Sequence, residues 1–267
     1  MKIILRIFVL LFIAISFNAC HLLSAAGVGS QGQPTKKVPA KLTSMTTNSA
    51  VNVDHNDWDA LLKKHVNSAG MVDYRGFQED RPAVNAYMKK LADLNPTKKW
   101  SVQELLAYYI NLYNVYTVDL ILTNYPTKSI QDIDGAFTKA FIPIGNRTLS
   151  LGGLENGVLR KMNEPRIHFA INCASISCPI LSRDAYTAAK INEQLEDATT
   201  GFINSNKNEI NAKNPKISSI FKFYTKDFIT DKTPSLAAFI NQYSDKQIEN
   251  NVAVQYKEYD WSLNEQK

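Results

Sequence analysis

Ser101-Val102-Gln103-Glu104 runs into Leu105-Leu106-Ala107-Tyr108-Tyr109-Ile110-Asn111-Leu112-Tyr113-Asn114-Val115-Tyr116-Thr117-Val118-Asp119-Leu120-Ile121-Leu122-Thr123. The first four residues are a capping-box pattern, which starts a helix. The nineteen that follow are apolar on nearly every face, the composition of a buried helix or of a membrane span. Asn111, Asn114, Thr117 and Asp119 argue against lipid, where each would need a partner that hydrocarbon cannot offer. The stretch is therefore expected to be the central helix of a water-soluble core. Asn111 and Asn114 stand three apart, share a face and can reach one site.

Elements of ordinary amphipathic character flank that helix. Asp54 to Val66 carries Trp58, Leu61, Leu62 and Val66 at helical spacing, and His65 falls on its outer side. Gly70 to Gly76 reads as a short strand or turn. Pro82 to Leu94 is a second amphipathic helix, stopped by Asn95-Pro96. Downstream, Phe141 to Leu151 reads as a hairpin around Gly145-Asn146. Gly153 to Met162 and Ala185 to Ile203 are expected helices, and Ile167 to Ile171 a short strand. Lys216 to Tyr224 is expected as a strand, Ser235 to Tyr243 as a helix, and Val252 to Trp261 as a closing strand. The sum is an α+β fold: one helix-rich domain with a small, mainly antiparallel sheet.

The chain has 267 residues, 45% hydrophobic and 21% charged, with a net charge of +5. No run of Lys or Arg is dense enough to follow a phosphate backbone, so no nucleic-acid partner is expected. Met1 to Arg6 is a basic start, Ile7 to Phe17 an apolar core too short to remain in a bilayer, and Ala19 precedes Cys20. This resembles a lipoprotein signal over residues 1–20, with Cys20 lipidated; the other reading is ordinary cleavage near Ala25-Ala26. Either exports the protein, lipid-anchored on the periplasmic side of a bacterial membrane or soluble. Residues 21–50 are rich in Ser, Thr, Gly, Gln, Pro and Lys and read as a disordered tether. The domain is expected over 51–267.

The chemistry gathers in Arg166-Ile167-His168-Phe169-Ala170-Ile171-Asn172-Cys173-Ala174-Ser175-Ile176-Ser177-Cys178-Pro179. An imidazole near a thiol favours the nucleophilic thiolate, and a third polar group fixes the tautomer. On a strand, Cys173 and His168 would face opposite sides, so the chain must turn at Asn172 for them to meet. Two other readings stay open: His168 as a hydrogen-bonded core residue, and Cys173 with Cys178 as a disulfide, the default for two neighbouring cysteines in an oxidising compartment. Two thiols and one histidine are too few for a zinc site, and no cofactor is expected.

These residues resemble the DUF547 family. The resemblance runs over Tyr109-Ile110-Asn111-Leu112-Tyr113-Asn114, Leu149-Ser150-Leu151 with Glu155 and Leu159-Arg160, and Pro165 to Ser175 with Ser177-Cys178-Pro179. Tyr224 with Asp227-Phe228, the closing Tyr259-Asp260-Trp261-Ser262-Leu263-Asn264, and Asp54-His55 with Trp58 also fit. The family has no settled activity and has been likened to papain-like or transglutaminase-like thiol enzymes. The resemblance implies Cys173 as nucleophile, His168 as its base, Glu155 as an orienting acid and Cys178 as the alternative nucleophile. Asn111, Asn114, Asn172, Ser175 and Arg166 are candidate binding residues. The family commonly shows Glu-His where this chain has Glu155-Asn156. The expected function is a cysteine-dependent hydrolase or acyl transferase acting on an amide-type bond of an envelope substrate. The alternative is a non-catalytic envelope binding module with a structural or redox Cys173–Cys178 disulfide.

Overall fold

In the computed structural model, residues 23–267 are described; the signal segment and Cys20 lie outside them. Nine α-helices and four short strands lie wholly within these residues, and residues 23–25 are helical as well. The helices are α1 Asn56–His65, α2 Tyr74–Glu79, α3 Arg81–Ala92, α4 Val102–Asn124, α5 Leu151–Gly157, α6 Ile191–Ile203, α7 Ile220–Phe223, α8 Thr225–Phe228 and α9 Leu236–Ile240. The strands β1 Ile142–Ile144 and β2 Arg147–Leu149 form the antiparallel hairpin. β3 Lys216–Ile217 and β4 Gln255–Tyr256 make a two-residue parallel pair. The fold is thus α+β and helix-rich, with very little sheet.

α4 is the central helix, buried along nearly its whole length. Ser101 caps it by accepting the Glu104 N–H at 3.1 Å. Glu104 does not close the reciprocal half of the box. It accepts instead from the Val53 N–H at 2.9 Å, tying the chain entering α1 to α4. Asp119, near the far end, pairs with Arg81 at 2.6 Å. The apolar face of every neighbouring helix closes on α4 in one large cluster, while a second, phenylalanine-rich cluster gathers Phe169, Phe202, Phe221, Phe228 and Phe239.

Several expectations are corrected. Residues 23–50 do not hang free: Tyr109 donates to Pro34 O, the Val38 N–H to Met162 O and Gln103 to Thr43 O. Leu42 is buried, and backbone hydrogen bonds hold this polar stretch where composition alone reads tether. The Ile167–Ile171 run is not a strand. Glu164 caps, Pro165 sets the first φ, and Pro165–Phe169 winds into a 3-10 helix packed on α6. It straddles the two clusters, so it is apolar on both sides and shows no helical period. Lys216–Tyr224 keeps two strand residues before turning into α7, and the closing strand reduces to Gln255–Tyr256 plus isolated bridges. The Gly153–Met162 helix is α5 followed by a 3-10 turn, and α6 begins at Ile191 rather than Ala185. His65 is buried, not on the surface, and bonds Asp80 at 2.6 Å.

Candidate active site

The chain does reverse just past Ile171. Asn172 is buried, and its Oδ1 accepts the Ala174 N–H at 2.8 Å while its Nδ2 donates to Pro179 O at 2.7 Å. One amide thus clamps both ends of the cysteine loop. Asn114, from α4, donates to Ala170 O and accepts the Asn172 N–H, at 3.0 and 2.9 Å. Ala174 sits at φ +57°, a left-handed conformation that costs a non-glycine residue roughly 1 kcal/mol or more. Residues 260–264 hold it there: Ser175 bridges Leu263, the Asn264 N–H donates to Ala174 O, and the Ile176 N–H donates to Ser262 O. Tyr74 in turn donates to Asn264 Oδ1 at 2.7 Å.

This reversal brings the two sulfurs to 2.7 Å from each other, both cysteines being free. The Cys173 N–H donates to Cys178 Sγ. Cys178 is buried and Cys173 half-buried. Hydrogen bonding to the Cys178 sulfur lowers the Cys173 thiol's pKa, and the Ser175 and Tyr259 hydroxyls, each 3.3 Å from Sγ, add to this against the opposing effect of burial. Burial pushes the Cys178 thiol up, and its bond to Cys173 pushes it further. The two shifts run in opposite directions, which makes Cys173 the more acidic thiol of the pair. Beneath the loop, Lys207 donates to Cys178 O at 2.6 Å and to Ile176 O.

His168 lies on the wall of the same cavity of about 240 Å³ as both sulfurs. Its Nε2–H donates to Asp227 Oδ2 at 2.8 Å, and its buried Nδ1 has no partner. Tyr224 stacks on the ring, with centroids 3.9 Å apart. Arg160 grips the same Asp227 with Nε and Nη2 at 2.6 and 2.9 Å. Burial alone would raise the Asp227 pKa, but the bonds from His168 and Arg160 outweigh it and hold the carboxyl at about 2. The orienting acid for His168 is thus Asp227, not Glu155. Glu155 faces the same cavity and accepts from Tyr113 at 3.3 Å, with Tyr224 as its second partner. Asn156 spans Arg160 and Ala25 O.

The other expected site residues divide. Ser175 reaches Cys173; Asn114 and Asn172 build the loop from behind. Asn111 bonds both the N–H and the O of Tyr186, and Arg166 pairs with Glu164 and Glu196. Neither of these two lines the cavity. No hydrogen bond joins His168 to either sulfur among the described residues. Asp227, Tyr224 and Tyr259 stood in the family pattern, but nothing in their spacing linked them to His168 or Cys173. Lys207 carried no sequence signal. Among the described residues no three His, Cys, Asp or Glu side chains group as a metal site.

Residues 97–203 match the family model described as "Protein of unknown function, DUF547". The match takes in Glu155, His168, Cys173 and Cys178 and ends before Asp227 and Tyr259. No curated protein and no solved structure matches the chain.

Proposed function

We propose that this chain, which carries a DUF547 domain over residues 97–203, is a cysteine-dependent hydrolase or acyl transferase acting on an amide-type bond in the cell envelope. One observation carries the reading. The half-buried sulfur of Cys173 shares a cavity wall with an imidazole whose Nε2 is fixed by a carboxylate and whose Nδ1 is unpartnered. With Nε2–H committed to Asp227, Nδ1 carries the lone pair that takes a proton. Cys173 Sγ attacks the carbonyl carbon, and a tetrahedral oxyanion forms within reach of the Tyr259 hydroxyl. The C–N bond then breaks, Nδ1–H returns the proton to the departing amine, and water or an acceptor amine cleaves the thioester.

The test is selective labelling. In the reduced, folded protein an iodoacetamide probe should modify Cys173 faster than Cys178. Cys173→Ala should remove that label, and His168→Asn should slow it by about tenfold or more. A Cys173 no faster than free glutathione at neutral pH, in protein that is folded by circular dichroism, refutes the reading.

A second reading rests on the sulfur separation. At 2.7 Å the two sulfurs lie inside ordinary non-bonded contact and a short movement from the roughly 2.05 Å of a bonded pair. On this reading an envelope disulfide donor accepts two electrons and two protons as Cys173–Cys178 forms by exchange. Protein isolated without reductant and lighter by two hydrogens, in full yield and after every preparation, favours this module over the enzyme.

A further inference from the structure

The cavity beside Cys173 has walls of a consistent kind. Phe137, Ile171, Ile220, Phe223, Tyr259 and Trp261 supply apolar surface. Phe223 is 51% exposed, unusual for a phenylalanine with a folded core available to it, and packs on Tyr259 with ring centroids 5.6 Å apart. Tyr259 in turn lies 4.5 Å from Trp261. An aromatic strip thus leads from solvent to the sulfur. The space, about 240 Å³, falls below the roughly 300–1,000 Å³ of sites for drug-sized ligands. An extended peptide does not fit it whole; one side chain or a short acyl chain does, and its largely apolar wall offers few partners for the hydroxyls of a sugar. Glu155 is the cavity's one carboxylate, so an acidic group entering the cavity is placed against a like group. Lys and Arg are missing from the lining, and the nearby cations are engaged elsewhere, Arg160 by Asp227 and Lys207 by the Cys178 carbonyl, so no cation in the wall pairs with an entering carboxylate.

We propose that this cavity receives the acyl side of the scissile bond as a short uncharged group, aliphatic or aromatic, with its carbonyl at Cys173 and its tail along Phe223, Tyr259 and Trp261. This rests on the acyl-transfer reading of Cys173 given above. The tail supplies binding by burial, each enclosed methylene being worth about a factor of three to four. The chain's specificity therefore lies in the acyl group's length and charge.

The experiment uses the reduced full chain and follows Cys173 alkylation by iodoacetamide, residue by residue, by mass spectrometry. Hexanamide, acetamide and adipic acid monoamide share one amide head and differ only in tail. Hexanamide should half-protect Cys173 at a concentration at least about tenfold below acetamide. The monoamide, with a carboxylate at its end, should protect about tenfold less well than hexanamide. Phe223→Ala, at an exposed position, should weaken hexanamide about threefold or more and leave acetamide unchanged. Equal protection by all three compounds overturns the assignment. A parallel arm adds 4-nitrophenyl acetate and hexanoate, each scaled to its rate with glutathione, and reads the acyl mass on Cys173. Adducts formed equally from both esters leave acyl transfer standing and overturn the substrate class. Hexanamide protection without any acyl adduct does the reverse.

Discussion

Asp227→Asn removes the carboxylate that joins His168 to Arg160 while keeping the side chain's size. Asp227 is 23% exposed at the side chain, and its pKa drops from an ordinary 3.8 to about 2 in the fold. That difference corresponds to about 2.5 kcal/mol of folding stability from the charged form. The variant also turns an amide toward guanidinium donors, leaving Arg160 without its anion, so a total loss of about 2–4 kcal/mol is expected near neutral pH. The sign is fixed by the direction of the shift. The folded-state pKa is depressed, so the stabilisation is complete above the unfolded value and disappears as pH falls through about 2. Urea unfolding of wild type and variant, in reductant, should therefore give a gap that is constant above about pH 5, narrows below about pH 4 and closes near pH 2. The variant should also alkylate Cys173 more slowly, because His168 loses the group that fixes its tautomer. A gap under about 1 kcal/mol, or one of the same size at both ends of the pH range, would refute the claim that Asp227 is held charged by its two partners.

Lys207→Met removes the cation beneath the cysteine loop. The Cys173 alkylation profile should move to higher pH, with the rate at neutral pH falling about three- to tenfold, while Lys207→Arg restores most of it. An unchanged profile would leave Lys207 a tie for the carbonyls alone. Gly70 has φ +74°, and a Cβ there would come within 2.2 Å of Ile180 Cβ; Gly70→Ala should cost about 2–4 kcal/mol in thermal or urea unfolding. Gly201 lies exposed within α6 with open space around it, so Gly201→Ala should stabilise by about 0.5–1 kcal/mol in the same assay.

How far the sequence leads depends on where each signal resides. The central helix is legible because nineteen residues lack any polar face, and the asparagines inside it mark it as protein-buried. The hairpin is legible from Gly145-Asn146, since the turn chemistry is local. The run around His168 misleads because a segment buried between two clusters is apolar on every side, and a 3-10 helix then looks like a core strand. Glu164-Pro165, a capping side chain followed by a proline, is the local signal for a helical turn there. Residues 23–50 mislead for the opposite reason: their backbone, more than their side chains, holds them, and hydropathy is blind to that. The cysteine loop's reversal is a condition the Cys/His reading imposes rather than something its composition fixes, because Asn114 and residues 260–264 hold it from outside. His168's partner is not legible either, because Asp227 lies 59 positions away and only the fold closes that distance.

The pairing of residues 260–264 with the cysteine loop sets an order of events in time. Synthesis proceeds from the N-terminal end, so both sulfurs leave the ribosome more than eighty residues ahead of the segment that fixes Ala174 in its left-handed turn. Until Leu263 and Asn264 arrive, the loop has no template, and Tyr259 is not there to donate to Cys173. The geometry around Cys173 is thereby deferred until residues 259–264 have been made. A chain that stops before residue 259 carries the same two cysteines without the Tyr259 contact to Cys173 and without the pairing that holds Ala174.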